Sequence, residues 1–258
     1  MNEYLVIGLA SLLGSGLTLF SGFGLGTILV PVFALFFPIE LSIILTAIVH
    51  FLNNLFKLFL LGRKADKNTI IRFGLPSILA AFLGAYLLST ISDTKPLLEY
   101  TIMGKAFFIS PVKLMIAILM LFFSLAEFIP GIKNLAIDPK YLPLGGLLSG
   151  FFGGLSGNQG ALRAAFLIRV NLSKESFIAT GVVLACLIDV SRLSIYTEKI
   201  ILNHTQLNYN LILVATLSAF AGVFIGNKVL KKVTLGFVQN TVAIMLLLFS
   251  VLLGMGII

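Results

Sequence analysis

Ser21-Gly22-Phe23-Gly24-Leu25-Gly26 stands in the middle of an apolar run from Tyr4 to Phe37, and Ser156-Gly157-Asn158-Gln159-Gly160 stands in the middle of another, from Tyr141 to Val170. Glycine costs about 1 kcal/mol in a helix relative to alanine. Non-helical backbone at membrane depth persists only where protein or a water-filled cavity surrounds it. Both clusters therefore predict a helix break. A straight helix from Tyr4 to Phe37 would measure about 50 Å at 1.5 Å per residue, against a hydrocarbon core of about 30 Å. A hairpin that turns back fits better than one crossing.

Outward from the breaks, the chain repeats itself. Gly16 and Gly26 match Gly150 and Gly160 at one offset, and Phe82-Leu83-Gly84 resembles Phe224-Ile225-Gly226. Residues 1–128 and 141–258 thus read as two copies of one unit, joined by a linker over 129–140, each with one broken element and three plain helices. The plain runs are Ile39 to Leu61, Thr69 to Ile91, Pro111 to Phe128, Phe177 to Tyr196, Asn210 to Val229 and Thr234 to Ile258, and the stretch from Ser92 to Ser110 is expected to lie on the membrane surface. These runs are too long and too continuously apolar for barrel strands. The predicted class is an all-α polytopic membrane protein with roughly six full spans.

Charge tests the hairpins independently. With the loop holding Arg63, Lys64 and Lys67 placed inside, single crossings by every element leave about eight basic residues on one side and nine on the other. Re-entrant hairpins give about twelve inside against five outside, because Lys228, Lys231 and Lys232 return inside with Lys133, Lys140, Arg169 and Lys174. The repeats are then inverted, both termini lie outside, and the hairpin tips face one another from opposite sides.

The composition agrees with a membrane chain. Of 258 residues, 59% are hydrophobic and 11% charged, with a mean hydropathy of +1.09, whereas soluble domains carry about 25% charged residues. The net charge of +8 sits at the ends of apolar runs. That is what membrane insertion selects, and the features of a nucleic-acid binder are missing. Cys186 is the only cysteine, which excludes intrachain disulfides, cysteine-based zinc sites and CxxC chemistry; it reads as helix packing. Glu3 stands where a signal peptide would be basic, and the apolar run continues beyond Phe20, so the N-terminus is expected to be retained. HExxH, Gly-x-Ser-x-Gly, P-loop and paired intramembrane carboxylates are all missing. No enzyme chemistry, cofactor or metal is expected, and transport energy should come from an ion or substrate gradient.

Discontinuous helices meeting near the midplane of inverted repeats are how secondary transporters hold substrates, with half-helix N-termini turned towards anionic groups. Helices restart near Thr27 and Ala161, so Gly24, Gly26, Thr27, Gly157, Asn158, Gln159 and Gly160 are expected at a substrate site. The competing reading is that the glycines only allow tight helix packing. Arg163 lies one turn into the second half-helix. A cation at mid-membrane costs at least about 2.5 kcal/mol unless it faces water or a partner, and its planar fork suits oxyanions; a structural ion pair or a snorkelling side chain is the alternative. His50, Asn53, Asn54 and Lys57 follow i, i+3, i+4, i+7 spacing, and such a stripe should face the bundle interior. Allowing one gap, Asn54 aligns with Asp189 and Lys57 with Arg192. Asp189 and Arg192 at i, i+3 either neutralise each other or serve function. Asn53 and Asn54 join the expected substrate contacts, and His50 and Asp189 are the candidates for proton coupling.

The first cluster with Pro31 after it, and Ser156-Gly157-Asn158-Gln159-Gly160-Ala161-Leu162-Arg163, resemble the repeated glycine signatures of the sulfite exporter TauE/SafE family of membrane permeases, over essentially the whole chain. The resemblance implies a multi-pass inner-membrane protein that moves sulfite, sulfonates or related organic anions by a secondary mechanism. Leu25 interrupts the denser glycine run usual in the first signature, and Asn158 and Gln159 stand where the second often has glycines. Membership is therefore better carried than sulfite specificity. The expected partners are a small anion, the lipid bilayer and, where transport is coupled, protons. Nucleic acid is not expected, and homo-oligomerisation stays open. A non-transporting assembly factor, an intramembrane enzyme and a passive anion channel remain as alternatives.

Overall fold

The structure, a computed structural model, describes every residue except 1, 22–23, 93, 103, 130, 132–134, 203–206 and 230–234. Gly22 and Phe23 of the first cluster, and Lys133, Lys231 and Lys232 of the charge pattern, lie outside the described residues. Both breaks fall where the glycines place them. The first apolar run divides into α1 (Glu3–Ser21) and α2 (Leu25–Ala34), and the second into α6 (Leu142–Ser156) and α7 (Gly160–Leu167). The plain helices are α3 (Ile39–Leu61), α4 (Lys67–Ser92), α5 (Pro111–Phe128), α8 (Lys174–Leu202), α9 (Tyr209–Val229) and α10 (Leu235–Gly254). Among the described residues, α3, α4, α5, α8 and α9 are long and apolar enough to cross a membrane, while the apolar part of α10, Gln239–Gly254, is shorter. The chain is a polytopic helical membrane protein.

The fold is all-α in its spanning part, with one small hairpin in a connecting stretch. The stretch from Ser92 to Ser110 contains β1 (Leu98–Ile102) and β2 (Lys105–Ile109), paired antiparallel with Tyr100 opposite Phe107. β-branched and aromatic residues make up three of the five positions in each strand, and Gly104, at φ +78°, supplies the left-handed residue that a tight hairpin turn requires. The Tyr100 and Phe107 rings stack with centroids 5.4 Å apart, and the Tyr100 hydroxyl donates to the Met255 carbonyl, tying the hairpin to the C-terminal end of α10.

Helix ends extend beyond the apolar runs where polar residues terminate them. α8 begins at Lys174 and Glu175 instead of Phe177 and runs past Tyr196 to Leu202. Ser110 accepts from the Lys113 N–H at the start of α5, with Pro111 in the first turn where a missing N–H costs nothing. Asp66 caps α4 by accepting from the Thr69 hydroxyl and N–H at 2.6 and 2.8 Å, and these bonds hold its carboxyl below the ordinary range.

Each broken element folds back on itself. The Phe166 ring on α7 occupies the space beside Gly145, near the start of α6, and Ser149 donates to the Gln159 carbonyl at 3.0 Å. In the first half, Leu25 and Ile28 of α2 lie against Gly14 of α1. The hairpins then pack across the halves, α6 against α4 and α1 against α9, while α3 packs on α8 and α5 on α10. Glycine makes the crossed contacts. A Cβ at Gly146, Gly150 or Gly154 would collide with the carbonyl oxygen of Phe73, Ser77 or Ala81 on α4, and one at Gly222 with that of Leu12 on α1. For these glycines tight packing is the explanation, as expected of small-residue stripes in membranes. Gly150→Val should therefore lower the unfolding temperature in detergent by an amount equivalent to about 1–3 kcal/mol, whereas Gly131→Val, with open space around it, should leave it unchanged.

The exterior is apolar. Leu79, Leu83 and Tyr86 on α4, and Ile244, Leu248 and Val251 on α10, are exposed at i, i+4, i+7 spacing and form lipid-facing stripes. Arg63, Lys64, Arg72, Lys140 and Lys174 gather at one end. The Asp66 N–H donates to Thr180 Oγ1 at 2.9 Å, and Arg72 donates to the Pro139 carbonyl at 3.2 Å, which groups the loop of Arg63 and Lys64 with Lys140 and Lys174. At the opposite end Lys199 donates to the Ser89 carbonyl.

Candidate functional site

A cavity of ≈ 40 Å³ opens between α1, α2, α3, α7 and α8, towards the basic end of the bundle. It has room for roughly three water-sized groups, about the size of a small oxyanion. α3 supplies His50, Asn54 and Lys57, α7 supplies Arg163, and Thr18, Gly24 and Gly181 complete the polar and open parts of the wall. Asn53 departs from the expected stripe. At position i+3 it lies about 60° round the helix from His50, towards α1, where Ser15 donates to its Oδ1 at 3.2 Å.

Arg163 is buried, and its Nη1 donates to Gln159 Oε1 at 3.3 Å. Gly181 gives the guanidinium its space, since a Cβ there would stand 3.5 Å from Nε. Lys57 is buried as well. Among the described residues neither cation has a carboxylate within ion-pair distance. Lys57 stood in the stripe but outside the expected substrate contacts; its i+7 register with His50 was the signal for including it. Thr18 and Gly181 carry no such signal.

Asp189 is fully committed behind the cavity wall. His50 Nδ1 lies 2.6 Å from its Oδ2, Asn54 donates to the same oxygen at 3.2 Å, and Arg192 donates to Oδ1 through Nε at 3.0 Å, with Nη2 at 2.8 Å. With the His50 proton on Nδ1, the ring donates to Asp189 and its Nε2 is left as an acceptor beside Gly24. Arg192 and Asp189 cancel in charge. Lys57 and Arg163 do not, so the cavity is electropositive.

The two breaks meet. A Cβ at Gly26 would stand 3.4 Å from the Gly157 carbonyl oxygen, and one at Gly157 would stand 2.9 Å from Arg192 Nη1. Gly157, at φ +80°, also closes α6 in the left-handed conformation that a helix end favours for glycine. Thr27 is buried behind Gly24 and its N–H reaches the Gly24 carbonyl at 3.2 Å. Of the expected site residues, Gly24, His50, Asn54 and Arg163 line the cavity. Gly26, Thr27, Gly157, Asn158, Gln159 and Gly160 cluster at the meeting of the breaks, Asn53 faces Ser15 of α1, and Asp189 lies between α3 and α8 against His50 and Asn54. Among the described residues no group of His, Cys, Asp and Glu has the arrangement of a metal site.

Neither a curated protein nor a solved structure matches the chain. The family model described as sulfite exporter TauE/SafE matches residues 7–253, a span that takes in both breaks and every residue of the cavity wall. The chain therefore belongs to the sulfite exporter TauE/SafE family and is a multi-pass membrane transporter, not an enzyme.

Proposed function

We propose that this protein is a secondary permease for sulfite, sulfonates or related small oxyanions, and that the cavity walled by His50, Asn54, Lys57 and Arg163 binds the anion. The observation that carries this reading is the pair of buried, carboxylate-free cations, Lys57 and Arg163. A buried charge without a partner is costly, and an anion entering the cavity compensates both at once. The guanidinium fork grips two oxygens in one plane while the ammonium acts as a point charge on a third. His50, facing the cavity and backed by Asp189, is the group suited to carry a proton with the substrate.

The transport mechanism in this reading is alternating access between inverted repeats, each with a re-entrant hairpin. The folding back of α2 on α1 and of α7 on α6, the crossed packing of the hairpins and the basic residues gathered at one end support it. Single cysteines at Lys64 and at Ser173, in a background with Cys186 replaced by Ala, provide the test. Both positions should label from the same side of the membrane. Labelling from opposite sides would mean that the second broken element crosses, and the repeats would not be inverted.

The function itself is tested by counterflow in proteoliposomes with a panel of sulfite, sulfonates and carboxylates. Saturable counterflow of a sulfur oxyanion is the expected result. Flux that rises linearly with concentration would identify a channel, and no flux of any anion would leave the assembly-factor reading.

A further inference from the structure

Beyond the cavity, where the two breaks meet, a second group of polar side chains is buried and lacks partners. Asn158 has neither amide atom hydrogen-bonded, and the same holds for Gln159 Nε2, Thr46 Oγ1 and Arg192 Nη1. All four residues are more than nine-tenths buried. Buried polar groups are almost always paired, and an unpaired one calls for an explanation. Packing does not supply it, because Arg192 spends Nε and Nη2 on Asp189 and still directs Nη1 to the Gly157 tip. The unpaired set is dominated by donors: a guanidinium N–H, two amide NH2 groups and a hydroxyl. That is the complement of an oxyanion stripped of water.

The position of the group is as informative as its chemistry. Thr46 precedes Lys57 by three turns of α3, about 16 Å, and Arg192 follows Gly181 by a similar distance along α8. The group therefore lies deeper than the cavity, away from the basic end. Gln159 spans the two, since its Oε1 accepts from Arg163 while its Nε2 belongs to the deeper set. The alignment of the two halves pairs Arg192 with Lys57, so each half contributes one cation at the same register, one in the open cavity and one behind the tips.

From this we infer that Arg192, Asn158, Gln159 and Thr46 form a second oxyanion subsite, closed in this conformation, to which the anion passes from Lys57 and Arg163 on its way across. The inference rests on the permease reading and deepens it. In the opposite-facing conformation the tips separate, Arg192 Nη1 becomes accessible, and the anion leaves Lys57.

Two variants test the subsite without touching the cavity wall or the Asp189 ion pair. Thr46→Val removes one hydroxyl at constant shape, and Asn158→Ala removes the amide. Sulfite binding to the purified protein, measured by calorimetry, should keep a Kd within about twofold of wild type, whereas sulfite counterflow in proteoliposomes should fall by about tenfold for the loss of one hydrogen bond to a charged group. Wild-type counterflow in both variants would overturn the subsite and leave the permease intact. A Kd that weakens in parallel with flux would also overturn it, since the deeper residues would then belong to one continuous site. Failure of the wild-type protein to bind or exchange sulfite would overturn the permease reading for this anion, and the subsite with it.

Discussion

Replacing Asp189 with Asn is expected to cost about 3–5 kcal/mol of stability, because it leaves the fully buried Arg192 guanidinium without its counter-charge. The size follows from the surroundings. Asp189 is the only described carboxylate in an ion pair with Arg192, and neighbouring Asn54 and His50 orient towards it and not towards the guanidinium. Thermal unfolding in detergent checks it, with a large fall in Tm expected for Asp189→Asn and substantial recovery when Asp189→Leu is combined with Arg192→Met, which removes both charges together. An unchanged Tm for the single variant would show that the buried Arg192 guanidinium does not depend on Asp189 for its counter-charge. The same cost makes Asp189 variants poor reporters of coupling. His50→Ala leaves the Asp189–Arg192 pair in place, and loss of pH-driven sulfite accumulation in that variant is the result expected of a proton carrier. Full retention would remove His50 from the coupling step.

Arg163→Ala is expected to abolish sulfite binding while the protein still inserts and folds. Arg163 packs against Gly181 and Gln159 at the start of a short helix, and no carboxylate depends on it for charge balance. Its position beside the N-terminus of α7 places positive charge near the positive end of the helix dipole, so its removal relieves a strain instead of creating one. Arg163→Lys separates charge from geometry. The cation remains but the two-pronged contact is lost, and affinity should fall by on the order of 1–3 kcal/mol, roughly 5- to 150-fold in Kd. Calorimetric titration with sulfite measures both variants. Unchanged affinity in Arg163→Ala would make Arg163 a structural cation and move the site elsewhere.

The breaks were legible because glycine has a physical cost in a helix and the two clusters stand at one repeat offset. The helix bounds of α3 and α5 coincide with their apolar runs, which Pro38 and Ser110 open abruptly. Periodicity also placed His50, Asn54 and Lys57 on one face. What escaped the sequence depends on neighbours that are distant in the chain. Asn53 differs from Asn54 only in lying on the side of α3 that meets Ser15, about 40 residues earlier. The strands β1 and β2 lie in the stretch expected on the membrane surface, and their pairing is fixed by the turn at Gly104 and the tie to Met255. The division of the polar residues between an open cavity and a closed group behind the tips needs the contact of Gly26 with Gly157, which no local pattern announces.

The central claim is that the anion sits between Lys57 and Arg163, and selenite, which has the shape and charge of sulfite, locates it directly. An anomalous diffraction map of the selenite-soaked protein should place one selenium in the cavity, with its oxygens about 2.7–3.2 Å from Lys57 Nζ and the Arg163 guanidinium. Selenium bound only outside the cavity, with Lys57 and Arg163 left without an anion, would contradict the account.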